Sequence, residues 1–528
     1  MFRFPAPRAR AALAALILPL ALAAPAHAQT LVIARDMDVN SLDPHRGFCD
    51  TCQIVFSSVY ERLVDLAADN KTIIPLLAES WTSNENQTVY TFTLNAGAKF
   101  ADGSPVTSAE VKWSLERLAS LKADPGFLMD GLASIETPDA RTVVITMAAP
   151  NSELLGILAA PYASIVNAKV AEAAGAASGA GADTADTAES WFLANSAGSG
   201  PFTLAAYAAD DELRLARNAA YWRDAPAAAE VVIRQVKDSV TQAQMLQSGG
   251  ADIAMQVDAD TAAGLSDPNV VVNTVPSFNF VYIALGAGAE GMPMKMTKPV
   301  REAIGLAIDY EGAIDLIVGG EGKLQAAPIP NGFPGTDGLP LPKRDVEKAK
   351  ALLAEAGVTG PVTLDAVYPS VNVYGVDFNL LMQKVQQDLT EIGIELELQP
   401  VTFAVWRERI GATGIPVTAV YYAPDYFGSG QYASFFGLYE GSPWYNRSHA
   451  AKAEDAANPN MAEKMAAALA APADKVDAAF HEVGMEMISD RIIIPVLSPN
   501  LILAHRANVE GVRYSACCNL PLAEISVK

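Results

Sequence analysis

Two cysteines near the start of the chain are the first residues whose spacing suggests chemistry. Cys49 and Cys52 stand in the stretch GFCDTCQIVFSSVYERL, directly before an apolar pattern with helical spacing. A helix N-terminus lowers the pKa of a thiol, so the pair could serve as a redox centre. However, the strand–helix–strand setting of a thioredoxin-like motif is missing before Cys49. A secreted thiol oxidoreductase using Cys49 and Cys52 is therefore one hypothesis for this chain.

A second pair, Cys517 and Cys518, brings the cysteine count to four. Four cysteines allow three disulfide connectivities, and the sequence does not choose among them. Zinc binding by all four is an alternative, but zinc sites use spaced cysteine pairs, and adjacent cysteines chelate poorly. The structural, redox and metal interpretations therefore all stay open at this point.

The first residues predict export. Arg3, Arg8 and Arg10 form a positive n-region, and residues 11–23 are almost all Ala, Leu and Ile. Ala26-His27-Ala28 fits a signal-peptidase cleavage site, so residues 1–28 are expected to be removed, with Gln29 leading the mature chain. The apolar run is short for a bilayer span, and no later stretch is apolar enough for one. We expect an exported protein that does not span the membrane.

Length and charge restrict the class of protein further. The chain has 528 residues and a formal charge of −23, and the predicted signal peptide carries three arginines and no acidic residue. One hydrophobic core rarely covers more than about 250–300 residues, so at least two lobes are expected. The acidic balance argues against nucleic acid as a partner, because phosphate binding requires basic patches.

The clearest architecture lies in residues 343–401. Asp345 can cap a first helix, and VTLDAV then alternates as a strand. A second helix carries Leu381, Met382, Val385 and Leu389 at helical spacing, and IELELQPV follows as another strand. This order predicts a βαβ unit with parallel strands, and hence an α/β lobe.

The N-terminal half shows more strands and turns. TVYTFTLNAGAKF and ARTVVITMAAP are predicted strands, and Thr107 with Glu110 forms a capping box that opens a helix between them. FTLAAYAADDELRLARN is predicted to be a hairpin. Residues 170–190, rich in Ala, Gly, Asp and Thr, are predicted to be a helix end followed by a flexible surface loop.

Several stretches, in order along the chain, resemble the family 5 extracellular solute-binding proteins, the peptide-, nickel- and oligopeptide-binding components of ABC importers. The segments that carry this resemblance are SLDPHRGF, WTSNENQTVYTFTLNAGAKFADGSPVTSAEVKWSLERL, NSAGSGPFTL, NAAYW, GGADIA, VREAIGLAIDYEGAI, DVEKAKALLAEAG, LTEIGIELELQPVTF and RIIIPVLSPN. The resemblance implies an α/β, bilobed periplasmic binding protein-like fold with an extra subdomain. Its two lobes would be joined by a two-crossing hinge and would close on a solute.

The resemblance also implies domain boundaries. Residues 29–65, 191–280 and 493–528 are expected to form lobe I, with residues 66–190 inserted as a subdomain. Residues 281–492 are expected to form lobe II. We expect the chain to cross between the lobes near Pro276–Leu285 and near Ile492–Pro499, two apolar stretches that could run as strands.

Binding residues follow from the same resemblance. YYAPDYFGSGQY resembles the family's second-lobe motif, in which an Asp holds a peptide's α-ammonium group; the matching residue is Asp425, with Tyr422 against the ligand and Tyr426 after it. Pro424 departs from the small residue usual there. Pro-Asp is also ordinary turn chemistry, so Asp425 as a plain turn residue is the alternative.

The N-terminal stretch DPHRGFCDTCQIVFSSVYERL aligns with the segment that runs along the peptide in peptide-binding members. This places Phe48, Cys49 and Asp50 at or beside the cleft, and the preferred interpretation of the cysteines becomes a local Cys49–Cys52 disulfide that stiffens a ligand-contacting loop. Trp406 could stack on ligand, although packing within an amphipathic helix is an equal alternative. Arg407 could meet a ligand carboxylate, or be solvated.

The chain shows no HExxH, GxSxG or phosphate-binding loop, and its histidines lack metal spacing. We therefore expect a non-enzymatic periplasmic receptor with no cofactor and no metal site. Its partners would be a small-molecule or peptide ligand and an inner-membrane ABC permease, and it would be monomeric. The alternatives are the thiol oxidoreductase and, on the same fold, a protein that binds a nickel-type metal chelate.

Overall fold

The computed structural model describes Met1, residues 29–516 and residues 518–528. Apart from Met1, the predicted signal peptide lies outside the described residues, and so does Cys517. Within the described ranges, no helix has both the length and the apolarity needed to cross a bilayer.

The described chain alternates strands and helices along most of its length. In chain order the strands are β1 Thr30–Arg35, β2 Val64–Leu66, β3 Ile73–Pro75, β4 Ala78–Ser83, β5 Val89–Leu94, β6 Leu132–Glu136, β7 Thr142–Met147, β8 Phe202–Ala208, β9 Glu212–Arg217, β10 Glu230–Gln235, β11 Ile253–Ala254, β12 Val270–Pro276, β13 Phe280–Leu285, β14 Gly322–Lys323, β15 Val362–Pro369, β16 Asn372–Val373, β17 Val376–Asp377, β18 Ile394–Val401, β19 Val417–Tyr422, β20 Ile493–Arg506, β21 Val509–Glu510 and β22 Ser526–Val527. The α-helices are α1 Asp50–Val59, α2 Ser108–Ser120, α3 Leu154–Leu158, α4 Ala168–Ala173, α5 Ala182–Ala185, α6 Glu189–Phe192, α7 Ser239–Ser248, α8 Ala259–Ala263, α9 Lys298–Ala307, α10 Tyr310–Val318, α11 Val346–Glu355, α12 Phe378–Thr390, α13 Phe403–Ala412, α14 Gly430–Phe436, α15 Pro443–Arg447, α16 Met461–Leu469 and α17 Val476–Asp490.

The predicted βαβ unit is confirmed. β15 and β18 pair in parallel from Val362 opposite Ile394 to Pro369 opposite Val401, and α12 connects them. Asp377 caps α12 by accepting hydrogen bonds from the backbone amides of Asn379 and Leu380. The apolar residues of the helix, Leu381, Met382, Val385 and Leu389, are buried against the sheet. The helical spacing of those apolar residues therefore gives the helix its packed face.

A long sheet runs through the molecule in the order β18-β15-β19-β13-β20-β11-β1-β10-β9-β8, with β12 and β14 also paired to β20. β20 spans 14 residues and pairs with strands in both parts of this sheet. Its first half pairs with β13, and its second half, from Asn500 to Arg506, pairs with β12. The apolar residues of the first half belong to one core cluster, and Ile502 and Ala504 belong to another.

The second connection between these clusters lies at residues 277–279, between β12 and β13. It is tied to β20 by two side chains: the Ser277 hydroxyl donates to the Pro499 carbonyl at 2.7 Å, and the Ser498 hydroxyl donates to the Asn279 carbonyl at 2.9 Å. Both segments thus run side by side where the two parts of the sheet meet. This is where the sequence places the crossings, and their role as a hinge stays a prediction.

A separate four-stranded sheet, β4-β5-β7-β6, packs with α2. The predicted capping box at Thr107 and Glu110 is present, and Val111, Leu115 and Leu118 are buried as expected. The predicted hairpin is also present, as antiparallel β8 and β9.

Arg117 on α2 fastens this four-stranded region to the N-terminal segment. Its guanidinium is fully buried between the carboxylates of Asp43, at 2.5 Å, and Asp186, at 2.9 Å. Burial and the neighbouring Arg117 charge lower the pKa of His45 to about 4, and its Nε2 lies 2.9 Å from the Ser164 carbonyl oxygen. The SLDPHRGF motif therefore anchors the stretch that leads into Phe48, Cys49 and Asp50.

Residues 170–190 contain the predicted helix end, where α4 stops at Ala173, but the segment after it is packed against the protein rather than a loose loop. The stretch contains α4 and α5, and its Ala171, Ala182 and Ala188 side chains are buried. Asp186 is buried as the partner of Arg117 and also accepts hydrogen bonds from the Ala177 and Ala188 backbone amides. Local composition does not predict this packing, because the residue that pairs with Asp186 is Arg117 on the distant helix α2.

Candidate functional site

The start of α1 forms one wall of the candidate site. Cys49 and Cys52 are joined by a disulfide, with Cα atoms 5.0 Å apart, and Cys49 occupies the N-cap position. The Asp38 carboxylate accepts from the backbone amides of Asp50 and Thr51, each at 2.9 Å. Burial opposes ionisation of Asp38, but Arg35 and the hydrogen bonds from Thr51 outweigh it, so the pKa of Asp38 is lowered. The helix start is thus held by a carboxylate that stays ionised.

Asp50, at this helix start, contacts the turn between β16 and β17. Its Oδ2 accepts a hydrogen bond from the Tyr374 hydroxyl at 3.1 Å. Burial, followed by the nearby charge of Asp38, raises the pKa of Asp50 to about 6. This carboxylate therefore stands in a negative environment that favours a cation.

Asp425 forms the opposing wall, in the turn that follows β19. It is only 7 % exposed, its Oδ2 accepts a hydrogen bond from the Tyr422 hydroxyl at 2.9 Å, and its backbone amide donates to Gln431 at 2.8 Å. Burial raises the pKa of Asp425 to about 7, the Tyr422 hydrogen bond offsets part of this rise, and the charge of Asp50 adds to it. No ion pair among the described residues includes Asp425. An ionised carboxylate that is buried without a partner is destabilising, so a cationic group bound beside it would offset that cost.

Tyr162 feels the charges of both carboxylates. Burial raises its pKa well above 10, and the charges of Asp425 and Asp50 contribute to the rise. The Gln53 side-chain amide donates to the Tyr162 hydroxyl at 3.1 Å, and the ring of Phe48 packs 5.0 Å from that of Tyr162. Phe48 and Asp50 are thus brought to the same region as Tyr422 and Asp425.

Two buried polar side chains near this region have no hydrogen-bond partner within the described residues. They are the amide of Asn279, at the connection between β12 and β13, and the hydroxyl of Tyr432, whose ring lies 5.5 Å from that of Tyr422. Leaving such groups unpaired costs about 1–3 kcal/mol each, so sites of this kind often accept a ligand group or water.

Trp406 and Tyr426 have other surroundings. Trp406 is 1 % exposed and its indole N–H donates to Thr418 at 2.9 Å, so the structure favours packing over ligand stacking. The Tyr426 hydroxyl donates to Glu153 Oε2 at 3.0 Å, and the Gly430 amide donates to the same carboxylate. Tyr426 therefore joins the loop after β19 to the segment before α3.

Sequence reasoning missed several members of this region: Gln53, Glu153, Tyr162, Asn279, Tyr374 and Tyr432. One signal was available for Tyr374, which forms a two-residue turn with Gly375 between β16 and β17; both residues have positive φ. The signal is Gly375, because glycine readily adopts the positive φ that the second position of such a turn requires. The others lie in segments whose approach only the tertiary fold creates.

Within residues 29–516 and 518–528, no three His, Cys, Asp or Glu side chains are grouped as metal ligands. Cys518 is buried. Cys517, the fourth member of the zinc site considered from the sequence, lies outside the described residues.

Comparisons with known proteins agree with this architecture. The family model described as "Bacterial extracellular solute-binding proteins, family 5 Middle" matches residues 72–444. The probable D,D-dipeptide-binding periplasmic protein DdpA of Escherichia coli K12 is 30 % identical over 402 residues, covering 75 % of each chain. The di/tripeptide-binding protein 2 of Pseudomonas aeruginosa is 27 % identical over 434 residues, covering 77 % of this chain and 78 % of its own.

Solved structures show the fold. The dipeptide-binding protein of Pseudoalteromonas sp. SM9913, in complex with Met-Leu, superposes with a TM-score of 0.81 at 19 % identity, covering 95 % of this chain and 100 % of its own. NikA of Brucella suis, in complex with Fe(III)-EDTA, has a TM-score of 0.79 at 20 % identity, covering 94 % and 100 %. The expected α/β bilobed binding-protein fold is confirmed.

Proposed function

Because this chain belongs to the family 5 bacterial extracellular solute-binding proteins, we propose that it is the periplasmic receptor of an ABC importer and binds a peptide-like solute with a free ammonium group. In this proposal the solute lies between the two lobes, and Asp425 pairs with its ammonium group. Tyr422 and the strip Phe48, Cys49 and Asp50 line opposite sides of it. The protein releases the solute unchanged to a membrane permease.

The observation that carries the proposal is the buried Asp425 carboxylate without a cation. The cost of burying a charge is recovered only when an opposite charge and hydrogen bonds compensate it. An ammonium group supplies both, and Asp50 adds attraction from the facing lobe. The unpaired Asn279 amide and Tyr432 hydroxyl add polar groups for such a ligand.

The relatives support the same ligand class. DdpA is named for D,D-dipeptides, the Pseudomonas aeruginosa relative for di- and tripeptides, and the GsiB proteins for glutathione. All of these compounds carry a free ammonium group and a carboxylate. Extending that class to this chain rests on Asp425 rather than on the names.

Titration calorimetry with paired peptides tests the proposal. A thermal-shift screen of di- and tripeptides first identifies those that bind, because a ligand that binds only the folded state raises the melting temperature. We expect N-acetylation of such a peptide, or Asp425→Ala, to weaken binding by about 2–5 kcal/mol. The exposed Asp337→Asn variant is the matched control. Full affinity of Asp425→Ala for a free-amine peptide would contradict the assignment.

Export and the permease partner belong to the same proposal. The predicted cleavage after Ala28 supports a periplasmic location, and we propose a monomer that meets an inner-membrane permease. Cell fractionation followed by N-terminal sequencing of the mature chain tests the first point, with Gln29 as the expected first residue. Equilibrium dialysis with metal analysis distinguishes a peptide receptor from a chelate receptor.

A further inference from the structure

The loop between β13 and α9 places methionine at alternate positions. In GMPMKMT, residues 291–297, every second residue is a methionine, namely Met292, Met294 and Met296. These are three of the 14 methionines in the whole chain. In extended backbone, alternate residues point to the same side, so this spacing predicts one face that carries three thioethers. The proposed function uses none of them.

The burial of this loop follows the same alternation. Met292 and Met294 are half-buried, and Met296 is 2 % exposed, whereas Pro293 and Lys295 between them are exposed. The methionines therefore turn inward together, and the residues between them face solvent.

All three methionines line one cavity of about 560 Å³, together with residues 287–289 and 452–454. The buried Arg301 fixes two walls of this cavity to each other. Its guanidinium donates to the Met296 carbonyl at 2.8 Å, and to the carboxylate and the carbonyl of Asp455, each at 3.0 Å. The protein itself thus sets the position of the methionine loop, as a preorganised binding site requires.

The charges around the cavity do not repel a cation. Lys295 lies 3.4 Å from Glu454, and Lys452 lies 3.3 Å from Glu290, so both lysines are paired with carboxylates. The dipole of α9 would oppose a cation near its start, but Asp455 accepts a hydrogen bond from the first backbone amide of that helix at 3.1 Å. The chain as a whole carries a formal charge of −23.

Thioether sulfur is a soft ligand, and soft thioether and thiolate ligands select Cu(I) among the biological metal ions. This chemistry differs from that of the His, Cys, Asp and Glu side chains, which form no metal-binding group within the described residues. Methionine has three rotatable bonds, so neighbouring side chains can converge on one ion. A thioether also has no proton to lose before it binds a metal.

Filling gaps in a hydrophobic core is the other common role of methionine, and Met296 contributes to one core cluster. Met292 and Met294 differ, because they are only half-buried, in a loop, and line the open cavity. Core packing explains neither their exposure nor the strict alternation of the three residues.

The methionine loop begins at the end of β13 that is remote from the solute site. Phe280, at the start of β13, pairs with Tyr422, whereas Leu285, at its end, pairs with Val417. The five steps from Phe280 to Leu285 cover roughly 17 Å at about 3.4 Å per residue. An ion at the loop would therefore leave the space beside Tyr422 and Asp425 free.

We propose that Met292, Met294 and Met296 bind one Cu(I) ion through their three thioether sulfurs. The cavity gives the ion its entry path, and the exposed ion pairs beside it keep the surroundings close to neutral. This site goes beyond the proposed function, because it neither requires a peptide ligand nor competes with one.

Methyl NMR tests the site residue by residue. The mature protein is produced with ¹³C in the methionine methyl groups and titrated with Ag(I), a soft monovalent ion that stands in for Cu(I) without its redox chemistry. We expect the methyl signals of Met292, Met294 and Met296 to shift together and to stop changing at one equivalent of Ag(I). Single Met→Leu variants assign these signals, since such exchanges conserve side-chain volume.

Anaerobic competition with the Cu(I) chelator bathocuproine disulfonate measures the affinity. Loss of an outer-shell partner already costs a metal site about 10–100-fold, so removing two ligands in Met292→Leu/Met294→Leu should weaken Cu(I) binding at least as much. Met485→Leu, which removes an exposed methionine on α17, is the matched control and should bind Cu(I) as the wild type does. Should Met296→Leu fail to fold, the half-buried Met292 and Met294 provide the same test.

Two results would overturn the proposal. One is an Ag(I) titration in which these three methyl signals stay in place, as they would if cysteine thiols bound the ion. The other is equal Cu(I) affinity of the wild type and Met292→Leu/Met294→Leu. Peptide affinity is measured on the same double variant and should equal that of the wild type, so the metal site and the proposed function stand or fall separately.

Discussion

Tyr374 donates a hydrogen bond to Asp50 at 3.1 Å, although the two residues are separated by 324 positions in sequence. Tyr374 has a φ of 55°, which costs a tyrosine about 1–3 kcal/mol relative to ordinary backbone. The tight turn between β16 and β17 thereby presents the hydroxyl to the helix start that carries the disulfide. The contact joins two segments that, in the proposed function, lie on opposite sides of the solute.

Tyr374→Phe should weaken solute binding while the ring contacts stay in place. We expect this hydrogen bond to form when the lobes close. Loss of one hydrogen bond is worth about 0.5–1.5 kcal/mol, or roughly two- to tenfold in affinity. Stopped-flow dissociation measurements should show most of this loss as faster release. Tyr207→Phe, on the edge strand β8, is the control and should bind as the wild type does. Equal dissociation rates for Tyr374→Phe and wild type would refute a closing role.

The raised pKa of Asp425 predicts a pH-dependent stability of the ligand-free protein. Its folded value of about 7 exceeds the ordinary 3.8, so the folded state holds this proton more tightly than the unfolded chain does. The resulting stabilisation is complete below about pH 4 and is lost as pH rises through about 7. Melting temperatures of wild type minus those of Asp425→Asn should therefore fall between pH 4 and pH 7. Parallel melting curves across that range would contradict the buried, uncompensated carboxylate.

Solute binding should show the opposite dependence on pH. An ammonium ligand pairs with ionised Asp425, so below about pH 7 binding must first remove a proton. Affinity should fall by up to about tenfold per pH unit between pH 7 and pH 5. Calorimetry at pH 6 in buffers of different ionisation enthalpy should report close to one proton released per ligand bound. Asp425→Asn should release markedly fewer protons.

Glu153 provides a test of closure at a distance from the solute. Its buried carboxylate accepts from the Gly430 amide at 2.9 Å and from the Tyr426 hydroxyl at 3.0 Å, and burial raises its pKa to about 7. Glu153→Ala leaves both donors unpaired in this conformation, at a cost of about 1–3 kcal/mol each. We expect weaker binding and a larger radius of gyration by small-angle scattering at matched ligand occupancy.

Glu153→Gln is the companion variant, because its amide oxygen still accepts from Gly430. It should recover much of the affinity that Glu153→Ala loses. An alanine variant that binds and closes like wild type would show that this carboxylate has no part in holding the lobes together.

The Cys49–Cys52 bridge distinguishes a receptor from a thiol oxidoreductase. Its cysteines are three positions apart, and a loop this short gives about 2 kcal/mol of stabilisation in the chain-entropy model. The double variant Cys49→Ser/Cys52→Ser should melt about 2 °C lower, given the large unfolding entropy of a chain this long, and bind peptide within about threefold of wild type. An insulin-reduction assay should detect no turnover in the wild-type protein. Robust turnover that the double variant abolishes would instead support the oxidoreductase.

Local pattern was sufficient for much of the architecture. The βαβ unit followed from period-two and helical spacing in residues 362–401, and the capping box followed from Thr107 and Glu110. Such features depend on contacts a few residues apart, so the sequence itself records them. Resemblance along the chain then supplied the bilobed fold and directed attention to Asp425, Tyr422 and Asp50.

Only the tertiary structure revealed which charges have partners. Asp186, in a stretch that looks like loose linker, is buried against Arg117, whereas Asp425 is left without a counter-ion among the described residues. It also placed Trp406 in the core and brought Tyr374 to Asp50 and Glu153 to Gly430. Residue type and spacing along the chain determine helices, strands and turns. Burial and pairing of a charge depend on segments hundreds of residues apart, and folding alone brings those segments together.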